Sequence, residues 1–115
     1  MGTTDMAQWT TVALVADFPP GSCRRMEVDG VAMAIFNVDG CYYAIEDICS
    51  HEAETLSNGR VEGLEITCPR HEARFSLVTG KALSPPAYEP IATFPIQVEN
   101  GIVRVRDNRF DVTVR

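Results

Sequence analysis

Residues 49–71 read CSHEAETLSNGRVEGLEITCPRH, and both histidines of the chain, His51 and His71, lie within them. Each follows a cysteine at close range, in Cys49-Ser50-His51 and in Cys68-Pro69-Arg70-His71. Between the pairs, Leu56-Ser57-Asn58-Gly59 reads as a turn and Leu64-Glu65-Ile66-Thr67 as a strand. That strand returns the chain and sets two short loops side by side. Two loops that each present one thiolate and one imidazole can close on a single metal site. Taken singly, a buried cysteine is a small hydrophobe, and a histidine is a structural or surface residue. The repeated order sets this group apart, because Cys/His spacing is a metal-binding signal. Cys23 and Cys41, which stand alone, read as core or surface residues without a partner.

Working outward, turn dipeptides recur at Asp29-Gly30, Asp39-Gly40, Asn58-Gly59 and Asn100-Gly101, and each favours a tight hairpin. Short strand-like stretches lie between them. Val31 to Val38 is almost wholly apolar, as a buried strand is. Cys41 to Ile48 carries Tyr42, Tyr43 and Ile45, which favour pleated structure. Phe94 to Glu99 reads as one half-buried strand, with Pro95 marking an edge or a strand start. Ile102 to Arg106 reads as its hairpin partner. Val12 to Asp17 supplies a turn at most, and Pro85, Pro86 and Pro90 mark an irregular connection. The terminus, 1–8, reads as loose. The pattern predicts an all-β fold, a small antiparallel sandwich or barrel, without a long amphipathic helix.

A length of 115 residues suits one domain, 1–115, and 45% hydrophobic residues suit a packed core. The net charge of −6 repels phosphates and argues against nucleic acid. It suits a partner with a basic docking face, although an acidic surface also serves solubility. No apolar run approaches the roughly 20 residues of a membrane-spanning helix. The opening MGTTDMAQWT lacks the basic and apolar regions of a signal peptide. The expected location is therefore the cytoplasm, where clustered cysteines more often hold metal than form disulfides.

Two sulfurs and two nitrogens suit tetrahedral zinc, so a zinc-binding structural module stays open on donor chemistry alone. Zinc modules, however, usually keep like ligands together, whereas here each loop offers one of each kind. In a Rieske centre two cysteines hold one iron and two histidines hold the other, which gives each loop one ligand for each iron. The C-x-H…C-x-x-H signature resembles that of the Rieske [2Fe–2S] family. The likeness extends through His71-Glu72-Ala73-Arg74-Phe75, Thr79-Gly80-Lys81-Ala82 and the Pro85-Pro86 loop, and it covers about Trp9 to Val105. It is strongest toward the small soluble Rieske ferredoxins of ring-hydroxylating dioxygenase systems.

That resemblance implies a Rieske-type antiparallel β-sandwich or barrel with cluster-binding loops at about 49–54 and 68–75. It implies one [2Fe–2S] cluster, with Cys49 and Cys68 on the inner iron and His51 and His71 on the outer. It also implies an electron carrier rather than an enzyme. Such a monomer docks transiently with an NAD(P)H-dependent ferredoxin reductase and a terminal aromatic-ring-hydroxylating oxygenase. No Gly-rich dinucleotide fingerprint is present, and the histidines leave no second metal set, so the chain depends on partners at both ends. A nitrite reductase small subunit, a fold relative that often lacks the ligands, is the alternative within the fold.

Some positions depart from the family pattern. Glu54 and Arg70 stand where high-potential members carry the cysteines of a clamping disulfide, so that bond is absent. Glu52 and Glu72 follow the two histidines where glycine is common, and they add negative charge near the outer iron. Arg70 and Arg74 read as surface charges paired with Glu52, Glu54 or Glu72. Tyr42, Tyr43 and Phe75 read as packing residues, and Met26 and Met33 as strand residues.

Overall fold

Three hairpin turns follow directly from the sequence. Asp29-Gly30, Asp39-Gly40 and Asn100-Gly101 all take left-handed backbone, with φ of 52° and 81°, 53° and 92°, and 55° and 77°. Two successive positive φ values define the turn whose twist matches paired strands. In a computed structural model, which describes residues 9–48, 55–69, 72–85, 87 and 89–108, these turns organise the fold. The first joins β2 (Cys23–Val28) to β3 (Val31–Val38), and the second joins β3 to β4 (Cys41–Glu46). The third joins β9 (Ile96–Glu99) to β10 (Ile102–Val105). The remaining strands are β1 (Thr10–Leu14), β5 (Arg60–Glu62), β6 (Glu65–Thr67), β7 (Arg74–Ser76) and β8 (Thr93–Phe94). Residues 1–8 lie outside the described residues.

The strands form three antiparallel sheets in the orders β1-β10-β9, β2-β3-β4-β8 and β5-β6-β7. The all-β fold expected from the sequence is the fold observed. Strand β3 is apolar except at Asn37 because both of its faces are covered over most of its length. Met33 and Ile35 join one core with Phe18, Phe94, Val103 and Val105. Ala34 and Phe36 point the other way and join Leu56, Ile66, Phe75 and Leu77. Strand β4 divides in the same manner, Ala44 to the first core and Ile45 to the second. The middle sheet thus separates a far core, under β1, β9 and β10, from a near core, under β5, β6 and β7. Each fully buried side chain of this size contributes about 1.5–3 kcal/mol of apolar transfer.

Buried polar groups are satisfied. Asn37, 3% exposed, donates from Nδ2 to the Phe18 carbonyl at 2.8 Å and accepts the Gly40 N–H at Oδ1, also at 2.8 Å. It thereby ties the chain entering β2 to the β3–β4 turn.

Three expectations need correction. Phe94 to Glu99 is not one strand. Proline has no N–H to continue a ladder, and the chain changes sheets at Pro95: β8 pairs with β4, whereas β9 pairs with β10. Pro95 does precede a strand, and that strand is an edge. Val12 to Asp17 holds more than a turn. Val12 to Leu14 belongs to β1, and only Val15–Asp17 forms a 3-10 turn. Asn58-Gly59 is not a hairpin turn. Leu56–Asn58 is a 3-10 turn, and Gly59 has φ −86°. The neighbouring hairpin turns instead at Gly63-Leu64, between Glu62 and Glu65, where Gly63 supplies φ +62°.

Candidate metal centre

Two connections frame the site. One is the segment between β4 and the 3-10 turn at Leu56–Asn58, and the other joins β6 to β7. Thr67 pairs with Arg74 as the last rung between those two strands. Cys68 is the next residue. Its N–H donates to the Ala73 carbonyl at 2.7 Å, and its carbonyl accepts the Glu72 N–H at 3.1 Å. These two backbone bonds close the loop. Closure requires left-handed backbone at Glu72, φ +59°, a region usually left to glycine, asparagine or aspartate.

Cys68 is 1% exposed and carries a free thiol. It lines a cavity of about 390 Å³ together with Asn58, Gly59, Arg60 and Glu72. Three of those residues belong to the return of the first connection. They are held there because β5 pairs with β6 (Arg60 opposite Thr67) and because Gly59 has no side chain. A Cβ at Gly59 would overlap the Thr67 carbonyl oxygen. Leu56, fully buried in the near core, anchors the same return. The end of the first loop therefore lies beside the first residue of the second.

The start of the first loop is anchored by Asp47, which is 8% exposed. Its N–H donates to the Ala32 carbonyl at 2.9 Å. Its Oδ1 accepts the Ser57 N–H at 2.7 Å, and its Oδ2 accepts the Ser57 hydroxyl at 2.8 Å. The carboxylate bridges the two ends of the loop that contains Cys49 and His51.

Of the four ligands expected from the sequence, Cys68 is described. Cys49, His51 and His71 lie outside the described residues, as do Glu52, Glu54 and Arg70. Among the described residues no three candidate ligands come together. Cys23 and Cys41 are exposed free thiols. They sit opposite Phe36 and Val38, on β2 and β4. Arg74 does not pair with Glu72, one of the partners expected, but with Glu65 at 2.8 Å, its diagonal cross-strand neighbour. Phe75 is fully buried in the near core, against which Tyr43 packs, and Tyr42 meets Phe18 edge to face at 5.1 Å. Met26 and Met33 face each other across β2 and β3. Sequence reasoning missed Asp47 and Ser57. Gly59 it registered only as part of a turn dipeptide.

A buried, unpaired thiol at the wall of a cavity shared by two adjacent loops fits a bound metal cluster. The family pattern described as the Rieske [2Fe-2S] domain matches residues 8–95. The ferredoxin component of the naphthalene 1,2-dioxygenase/salicylate 5-hydroxylase systems of a Ralstonia species is 40% identical over 98 residues, covering 85% of this chain and 94% of that protein. The 3-phenylpropionate/cinnamic acid dioxygenase ferredoxin subunit of Escherichia coli K12 is 47% identical over 88 residues, covering 76% and 82%. Among solved structures, a chain in the complex of reduced oxygenase and oxidized ferredoxin in carbazole 1,9a-dioxygenase superposes with a TM-score of 0.80. It is 35% identical, and the match covers 85% of this chain and 92% of that one.

The chain belongs to the Rieske [2Fe–2S] family, and its cofactor is one Rieske cluster. Within that family it is of the ferredoxin kind, an electron-transfer component rather than an enzyme.

Proposed function

We propose that this chain carries single electrons from an NAD(P)H-dependent ferredoxin reductase to a terminal ring-hydroxylating oxygenase. Residues 1–115 act as one domain with cluster loops at 49–54 and 68–75. Cys49 and Cys68 hold the inner iron, and His51 and His71 hold the outer one. The observation that carries this reading is the burial of Cys68 in the cavity where the return of the first loop meets the start of the second. When bound, the cluster supplies a one-electron couple tuned by charge, hydrogen bonds and exposure.

The chain's own residues do the rest. The near core, with Phe75 and Leu56 fully buried, keeps water from the inner side. The backbone bonds at Cys68 fix the chain from which its thiol projects at the wall of the cavity. The docking face in this reading is the one around His51 and His71. Redox encounters of this kind are small, below about 1,200 Å² in total, and short-lived. The ferredoxin–oxygenase complex solved for the carbazole system supports such docking. No helix among the described residues is long and apolar enough to cross a membrane. The working state we propose is a monomer in the cytoplasm.

Replacing Cys68 with serine tests the ligand assignment. The wild-type protein is expected to be red-brown, and the variant to lose most of its iron and acid-labile sulfide. A variant with full iron, full sulfide and unchanged visible absorption would remove Cys68 from the ligand set. A colourless wild type holding zinc would replace the cluster reading altogether.

A further inference from the structure

Asp47 is a nearly buried carboxylate, and among the described residues no lysine or arginine pairs with it. Burying an unpaired charge is unfavourable unless hydrogen bonds satisfy it. Here both oxygens accept from one residue, Ser57, at 2.7 and 2.8 Å, lengths typical of charge-assisted bonds. The same fold meets a similar need elsewhere with a neutral side chain, since Asn37 accepts the Gly40 N–H at 2.8 Å. Loop closure alone therefore does not call for a charge.

Chain geometry says what the charge is near. Cys49 is two residues from Asp47, and two residues span at most about 7 Å between Cα atoms, wherever the loop runs. From this juxtaposition we infer that Asp47 is a positioning residue with two roles. It latches the first cluster loop through Ser57, and it holds a negative charge, two residues along the chain from the Cys49 ligand, that disfavours adding an electron. The inference rests on the reading of Cys49 as a ligand.

The two roles separate in two variants of the cluster-loaded protein. Asp47→Asn removes the charge and keeps an acceptor for the Ser57 N–H. Ser57→Ala removes one bond of the latch and keeps the charge. Film voltammetry reads the midpoint potential, and bleaching of the visible absorption in excess chelator reads retention of the cluster. Asp47→Asn is expected to favour reduction about tenfold, equivalent to 59 mV for one electron. Ser57→Ala is expected to move the reduction equilibrium less than twofold but to bleach severalfold faster than wild type.

A change of less than twofold in loaded Asp47→Asn overturns the charge role, and bleaching of Ser57→Ala at the wild-type rate overturns the latch. If Asp47→Asn does not load, Asp47→Glu decides the matter. Loading with a near-wild-type potential sustains the need for a carboxylate, whereas failure to load reduces Asp47 to a packing residue. A wild type without iron–sulfur absorption defeats the cluster reading itself, an outcome distinct from all of these.

Discussion

The two loops are closed by different chemistry. The loop from Cys68 to Ala73 is closed by backbone, through two hydrogen bonds that extend the β6–β7 ladder by one step. The loop that contains Cys49 and His51 is bridged by side chains, through the carboxylate of Asp47 and the backbone and hydroxyl of Ser57. Backbone closure depends little on which side chains are present, provided that position 72 tolerates positive φ. Side-chain closure depends on two particular residues and on the segment that carries Ser57 being held in place. The second loop is thus closed by the ladder of the fold itself, and the first by a side-chain bridge. Four substitutions probe that contrast.

The largest effect is expected where the two closures touch. Gly59→Ala drives a methyl into the Thr67 carbonyl, and β6 or the return of the first loop must move. We expect about 3 kcal/mol of lost stability and poor cluster loading, read by thermal unfolding and iron content. Wild-type stability in this variant would mean that the two loops are not packed as described. Next is Leu56→Ala, which removes a fully buried anchor of the same return. A loss of about 2–3 kcal/mol is expected, with faster chelator bleaching. A stability loss with unaltered bleaching would separate loop closure from the packing beneath it.

Glu72→Gly bears on the backbone-closed loop. Relief of left-handed strain, about 1 kcal/mol, is partly offset by the greater freedom of glycine in the unfolded chain. A net gain near 0.5 kcal/mol is expected in denaturant melts, together with a rise in midpoint potential as a charge is lost. Destabilisation would show that the Glu72 side chain, and not its backbone alone, maintains the loop. The smallest effect is expected for Arg74→Gln. It breaks the exposed pair with Glu65 at 2.8 Å, and such pairs contribute about 0–1 kcal/mol. A larger loss would mean that the last rung before the second loop relies on that ion pair.

How far the sequence revealed this architecture varied with the range of the forces involved. Hairpin turns at Asp29, Asp39 and Asn100 were legible because their backbone demand is local. The apolar run of β3 announced a strand buried on both faces. Strand β1 was not legible, because its register shifts between Thr11 and Ala13 and blurs the alternation. The break at Pro95 was read as an edge but not as a change of sheet, which depends on the pairing of β8 with β4, far away in the chain. At the site, the Cys/His spacing was plain, and Cys68 is buried at the start of the second loop. The Asp47–Ser57 bridge was invisible, since an aspartate after a strand looks like an ordinary polar ending. Arg74 was matched to Glu52, Glu54 or Glu72, and the partner seen among the described residues is a diagonal cross-strand neighbour, Glu65, fixed by register rather than by proximity in sequence.

The double-sided burial of β3 also bears on how the protein comes apart. Its amides lie in ladders with β2 and β4 on either side, and its alternate side chains are shared between the two cores. Solvent reaches those amides only when both cores open, so their deuterium uptake tracks global unfolding. Loss of iron is expected to leave that strand protected, with exchange quickening first in the segments around Ser57 and Cys68. Heating, by contrast, takes both cores through a single transition, because neither can melt without exposing the shared strand.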